Sequence, residues 1–367
     1  MCMKFKSTIM IAAAVVVAVA LVAAAAFFVF ADDEKTVLKV YCAGSLSEPF
    51  CDMEDGNDLE ALFEEEHPDV DVQVTAGGSA DMIRRVTGMN QTCDVLASAD
   101  YLLIPSMMIN VTPKAADFCV QFAKNSMVLA YTDASAHADE ITADNWYDIL
   151  RMDDVKFGFS NPNDDPCGYR SQMTLLLSET YYGDAVIYED LILNNTNMIG
   201  VAYDSVNDTS TVSVPTTLTY DEDKLMIKSA EVDLTSALEA GSIDYLFIYE
   251  SVAFRHESSG QRFLELPTEV NLNDTAFASS YAKVKVKQFA DNTNISKIKT
   301  VKGSPIVYGV TIPHNSEHPD LAVEFVKLLL GVQGQDVMMD ADQEAIAPGV
   351  AGYWKAEVPE ELQAYVS

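Results

Sequence analysis

A β-like run, a Gly-Ser turn and a helix-like run succeed one another twice before residue 100, with the turns at Ala43-Gly44-Ser45-Leu46 and Gly77-Gly78-Ser79. The segment 37–42 reads as a buried strand, 59–66 as a short helix ended near Pro68, and 70–75 as a second strand. Across 80–87, Met82, Ile83 and Val86 fall on one helical side with Arg84 and Arg85 beside them, and 93–98 returns as a strand. This order requires a mostly parallel sheet covered on both faces. Open sheets of this kind hold ligands beyond the carboxyl ends of their strands, and both turns fall there. A helix N-terminus presents unpaired backbone N–H groups, while a Gly-Ser turn lets the chain approach a ligand closely and adds a hydroxyl donor. An anion-binding cleft follows, and it needs no positive side chain.

The alternation resumes at 127–131 (strand), 146–151 (helix), 157–160 (strand) and 166–180 (helix). Val232, Leu234, Ala237 and Leu238 keep helical spacing within 229–240, which Gly241 ends before the apolar strand 245–249. Later, 281–289 alternates Tyr, Val, Val and Phe against Lys283, Lys285 and Lys287, 306–312 is a further strand, and 321–330 makes an amphipathic helix. No segment repeats at a fixed period and no Pro/Gly/Ser linker separates independent domains. A chain of 367 residues, 49% apolar, has material for two lobes. The expected architecture is α/β: lobe I from 36–127 and 278–367, lobe II from 128–277, joined by two crossings around a hinged cleft.

The formal charge is −33, from 56 acidic and 23 basic residues, which disfavours binding nucleic acid through phosphate neutralisation. Lys4 and Lys6 precede an uncharged, Ala- and Val-rich stretch over 7–31, after which Asp32, Asp33 and Glu34 arrive together. Residues 1–31 therefore read as an export signal or a membrane anchor. Val29-Phe30-Ala31 offers a small-x-small cleavage site, and about 20 apolar residues are enough to span a bilayer. Either way the remainder is exported to the outer face of the membrane. Cys2 precedes the apolar stretch, so a lipoprotein anchor is not supported. Acceptor triplets for N-glycosylation stand at Asn90, Asn110, Asn194, Asn207, Asn273 and Asn294. Cys42, Cys51, Cys93, Cys119 and Cys167 have no C-x-x-C spacing, and at least one must be unpaired in a monomer. His314 and His318 are flanked by prolines, which argues against a helical zinc pair.

The Ser45 hydroxyl and the N–H groups at Ser45 and Leu46 can point into the cleft, and Ser79 can do the same from the second turn. Each Ser taken alone reads as a helix cap, and it is the pair of turns that favours a site. The run Asn161-Pro162-Asn163-Asp164-Asp165-Pro166-Cys167-Gly168-Tyr169-Arg170-Ser171 adds a third element. Asp165 fits an N-cap and Pro166 the first helical position, which leaves the N–H groups of Cys167 and Gly168 to face a ligand or Asp165 merely to cap its own helix. Arg170 is open between a salt-bridge partner and an anion ligand.

These motifs, with Val40-Tyr41-Cys42-Ala43-Gly44-Ser45-Leu46, Met82-Ile83-Arg84-Arg85-Val86-Thr87, Ser98-Ala99-Asp100-Tyr101 and Asp244-Tyr245-Leu246-Phe247-Ile248-Tyr249-Glu250-Ser251-Val252-Ala253, occur in one order. In that order the chain resembles the archaeal tungstate/molybdate-binding proteins of ABC importers, which have the type II periplasmic-binding fold. The resemblance implies an oxyanion held between the lobes by Ser45, Leu46, Ser79, Asp165, Pro166, Cys167, Glu231 and Tyr249. Asp164 is an adjacent alternative to Asp165, and Glu231 is equally a first-turn carboxylate favoured by its helix dipole. It further implies that Asp165 and Glu231 bond to the tungsten or molybdenum of the ligand, that no other cofactor is needed, and that a permease with its ATPase subunits is the partner of a monomeric, non-enzymatic protein. Two carboxylates beside a dianion repel it unless they join the metal's inner sphere, which sulfate and phosphate cannot accommodate. Glu250 is expected to face away from Tyr249. The alternatives are the same fold serving sulfate or phosphate, an exported hydrolase with Asp165 and Glu231 as acid and base, and a glycosylated surface protein. No nucleophile or base motif accompanies the pair, and the last reading leaves the two turns unexplained.

Overall fold

The computed structural model describes residues 35–53, 55–289 and 298–367, so the 1–31 segment and the Asn294 triplet lie outside the described residues. Thr36–Ala43 pairs in parallel with Val70–Gly77 and with Val95–Ser98. Val307–Thr311, Val120–Lys124 and Ala345–Val350 extend this into a six-stranded sheet by antiparallel pairing. Leu38, Val40 and Cys42 are fully buried, as alternate positions on the inner face of a strand must be. Over that face, Leu59–Glu66 starts where the Asp58 carboxylate accepts the Ala61 N–H at 2.9 Å. Its Phe63 packs on Phe325 of Pro319–Leu330 with ring centroids 5.4 Å apart.

The second lobe is a five-stranded sheet in the order Gln261–Glu265, Met127–Thr132, Tyr245–Tyr249, Phe157–Ser160, Leu225–Lys228. Phe157–Ser160 runs parallel to both its neighbours, so their carboxyl ends form one rim. Pro166–Tyr182 packs against this sheet and is buried from 166 to 178. Asp165 caps the helix, Pro166 supplies its preset φ at the first position, and Gly183, at φ +71°, ends it in the left-handed conformation. Trp146 and Phe157 each meet Phe247 edge-on, at 5.6 and 6.3 Å, in the core beneath.

A third sheet of four strands is ordered Ile298–Lys302, Val284–Phe289, Thr209–Ser213, Ile199–Asp204. The alternating stretch 281–289, expected with the first lobe, here pairs in parallel with Thr209–Ser213 of the second. Alternation fixes which face is wet but not which strand lies alongside. The chain re-enters the six-stranded sheet at Val307–Thr311, after the third sheet. The other crossing is Asn125-Ser126, between Val120–Lys124 and Met127–Thr132. Among the described residues no helix is long and apolar enough to cross a membrane, and all five cysteines are free. The acceptor asparagines Asn90, Asn110, Asn194 and Asn207 are exposed, and Asn273 is half-buried.

Candidate functional site

Each implied residue stands at the end of a strand or the start of a helix. Ser45 and Leu46 lie in the tight turn Gly44–Leu46 that follows the first strand, and Ser79 opens Ser79–Thr87. Asp165, Pro166 and Cys167 begin the buried helix of the second lobe. Glu231 precedes Val232–Glu239, and Tyr249 is the last residue of its strand. All eight are buried. The two lobes are in contact across them. A Cβ on Gly44 would stand 3.5 Å from Glu231 Oε1, and one on Gly78 only 2.9 Å from the Asp164 carbonyl. Glycine at both turns is what permits that approach.

Hydrogen bonding gives the three hydroxyls a common state. Asn125 Oδ1 accepts the Ser126 N–H at 2.9 Å, so its Nδ2 is the donor to Tyr308 Oη at 2.7 Å. Tyr308 must then donate its own proton, and it does so to Ser45 Oγ at 2.9 Å. Ser79 Oγ accepts the Ala99 N–H at 3.0 Å, and Tyr249 Oη accepts from Arg170 Nη1 at 2.6 Å. Each hydroxyl oxygen already accepts a proton, leaving its own hydrogen to donate. The trio is preset as donors, which suits an anion with several oxygens.

Two carboxyl groups lie beside these donors. Asp165 Oδ1 accepts the Cys167 N–H at 3.3 Å and Oδ2 the Glu231 N–H at 3.1 Å. Of the two readings left open by the sequence, an amide facing a ligand or Asp165 capping its own helix, the Cys167 N–H shows the second, an Asp N-cap satisfying its own second helical N–H. Glu231 is 1% exposed, and its Oε2 has no hydrogen-bond partner among the described residues. Burial first, and then the neighbouring Asp165, push its carboxyl well above the usual carboxylate range. The Cys167 thiol is likewise pushed up by burial and by Glu231 and Asp165. Tyr249 is pushed up by burial, which the adjacent Arg170 partly opposes.

The neighbouring alternatives occupy other places. Asp164 sits at the rim, accepting from Asn161 Nδ2 at 2.7 Å and standing 3.7 Å from Arg84 Nη1. Glu250 turns to the crossing, where it accepts from Ser126 Oγ. Among the described residues no group of three or more His, Cys, Asp or Glu side chains could hold a metal ion. Sequence reasoning did not identify Tyr308, Asn125 or Gln343, whose Nε2 donates to the Ser45 carbonyl at 2.5 Å. Tyr308 stood inside an expected strand, but nothing local marks its hydroxyl as the partner of a serine 263 positions away.

A family model described as bacterial extracellular solute-binding protein matches residues 38–341. An uncharacterized solute-binding protein of Methanococcus maripaludis strain C7 is 45% identical over 329 residues, covering 90% of this chain and 88% of that protein. The molybdate/tungstate-binding protein WtpA of Thermococcus kodakarensis is 41% identical over 337 residues, covering 91% and 88%. The solved periplasmic molybdate-binding protein of Azotobacter vinelandii superposes with a TM-score of 0.51 at 13% identity, covering 83% of this chain and 98% of that one. At that identity the likeness speaks for the fold alone.

Proposed function

This chain belongs to the bacterial extracellular solute-binding protein family, and from that premise we propose that it captures tungstate or molybdate between its lobes and delivers it to the permease and ATPase of an ABC importer. The observation that carries the reading is the pairing of three preset donors, Ser45, Ser79 and Tyr249, with two buried carboxyl groups, Asp165 and Glu231. The donors take the oxo groups. The carboxylates bond to the heavy atom and expand its coordination, which a sulfur or phosphorus centre does not allow. Discrimination then rests on what the site refuses. The 41% identity to a protein named for molybdate and tungstate supports the same reading. The protein works outside the cytoplasmic membrane as a monomer, and the 1–31 segment exports or tethers it. No catalytic step is assigned to the carboxyl pair.

Calorimetry with tungstate, molybdate, sulfate and phosphate tests this. The expected result is saturable binding of the two metalates with sulfate and phosphate far weaker. Equal affinity for all four refutes the carboxylate argument. Preference for sulfate or phosphate establishes the alternative ligand on the same fold.

A further inference from the structure

Arg170 is the one buried cation among the described residues, at 2% exposure, and its contacts run to both lobes. Nη1 donates to Tyr249 Oη of the second lobe at 2.6 Å and to the Ala99 carbonyl of the first at 2.7 Å. Nη2 stands 4.0 Å from Asp100 Oδ1, and Tyr169, the preceding residue, donates to Asp100 Oδ2 at 2.5 Å. The guanidinium also lies over the rings of Tyr169 and Tyr249, at 5.8 and 5.7 Å. Burial works against its charge, but Tyr249, Tyr169 and Asp100 outweigh that and keep it ionised.

Ala99 is the pivot. Its carbonyl accepts from Arg170 and its N–H donates to Ser79 Oγ, so one residue of the first lobe touches a candidate ligand group through one of its peptide bonds and the clasp through the next. Tyr249 meets the same guanidinium from the second lobe. The route from Ser79 to Tyr249 thus passes through Ala99 and Arg170 alone.

We propose that Arg170 is the positioning residue that couples capture to closure, clasping part of the ligand-free population shut and fixing the Tyr249 hydroxyl as a donor in that form. Its guanidinium donates to the Tyr249 hydroxyl within the second lobe and reaches the Ala99 carbonyl only when the lobes are together, so the closed form holds guanidinium and hydroxyl in one fixed place. An oxyanion that draws on the Ser79 and Tyr249 donors therefore favours the form in which Arg170 spans the cleft. Both acceptors are met by Nη1, whose two hydrogens the guanidinium holds in one plane while Nη2 faces Asp100, whereas a lysine chain is shorter and its ammonium is a freely rotating point of charge that fixes no such plane. The inference rests on the oxyanion reading of this site for its ligand and on the interlobe geometry for its clasp.

The test uses the full chain and two variants, Arg170→Lys and Tyr169→Phe. The second removes one interlobe hydrogen bond without altering any candidate ligand group, and it stands in if the first does not fold. Small-angle scattering without ligand reads the clasp, and calorimetry with sodium tungstate reads the coupling. Arg170→Lys is expected to enlarge the ligand-free particle and to weaken tungstate by about 10- to 100-fold. Tyr169→Phe is expected to do both to a smaller degree, about 3- to 10-fold in affinity, through faster release at unchanged capture rate. Unchanged scattering overturns the inference whether or not affinity falls, since Arg170 then acts only as a charge. Opening without loss of affinity overturns it as well. A wild-type chain that binds none of the oxyanions refutes the functional reading instead, while the ligand-free scattering still decides the clasp.

Discussion

Replacing Tyr308 with Phe isolates the donor logic of the site. The side chain is fully buried, and its oxygen joins Asn125 Nδ2 at 2.7 Å to Ser45 Oγ at 2.9 Å. Deleting it leaves Asn125 one acceptor short and frees Ser45 to donate elsewhere, without removing any candidate ligand group. A neutral hydrogen bond is worth about 0.5–1.5 kcal/mol net, so Tyr308→Phe should weaken tungstate binding by about 2- to 10-fold. Ser45→Ala removes a donor to an anion, worth about 1.5–3 kcal/mol, and should weaken it by about 10- to 150-fold. If Tyr308 acts only through Ser45, the double variant binds no worse than Ser45→Ala, and the two effects fail to add by the whole of the Tyr308 term. Calorimetric titration of the four proteins at one pH and salt concentration closes the cycle. Additive losses, or a Tyr308→Phe protein with wild-type affinity, refute the argument that Ser45 is oriented from behind.

Gly78→Ala places a methyl 2.9 Å from the Asp164 carbonyl of the opposite lobe, so it should open the ligand-free particle in scattering and reduce affinity by about tenfold or more while the protein stays folded. Asp165→Ala removes a helix cap and leaves the buried Glu231 N–H unpaired, which should cost about 2–4 kcal/mol in denaturant unfolding and narrow the preference for metalate over sulfate. Glu179, pushed up to about 7 mainly by burial and further by Asp184 and Glu189, holds its proton in the folded chain where the unfolded chain has released it. Its effect on stability is therefore lost as pH rises from about 4.5 to about 7, and Glu179→Gln, which keeps an acceptor for the Tyr188 N–H, should flatten thermal stability between pH 5 and 7.5. An unchanged slope contradicts that assignment.

Much of the frame was legible where local chemistry is unambiguous. Leu59–Glu66, Trp146–Arg151, Phe157–Ser160 and Tyr245–Tyr249 have the limits that apolar spacing and their flanking breakers indicate. Asp165 and Pro166 announced a helix start by composition alone. The short strands Leu225–Lys228 and Gln261–Glu265 were not read, because four or five residues between loops carry too little period to separate them from a buried turn. The partner of the Lys-rich strand was beyond reach for a different reason, since the pairing of Val284–Phe289 with Thr209–Ser213 is a long-range choice made by two sheet edges. The candidate site divides along the same line. Its turns follow from the chain, whereas Glu231 and Tyr249 came from family likeness, and the groups that orient the donors, Tyr308 and Asn125, are fixed only by tertiary contact.

The balance of charge around the cleft decides what kind of guest it can hold. A dianion 4 Å from one ionised carboxylate is repelled by about 8 kcal/mol at an effective dielectric constant near 20. Three hydroxyl donors to a charged acceptor return about 5–9 kcal/mol together. A guest that merely sits among Ser45, Ser79 and Tyr249 therefore gains little once Asp165 faces it, and loses outright if Glu231 ionises as well. Arg170 does not reverse the sign, because its donors are already taken by Tyr249 and the Ala99 carbonyl and it stands 4.0 Å from Asp100. The raised affinity of Glu231 for its proton, which burial causes and Asp165 reinforces, lowers that repulsion. Only a guest whose central atom accepts carboxylate oxygens turns the same two groups from a penalty into bonds. Among the described residues the site thus has one carboxyl oxygen without a hydrogen-bond partner and three hydroxyls set to donate, and under the proposed function a metalate would supply partners for all of them at once.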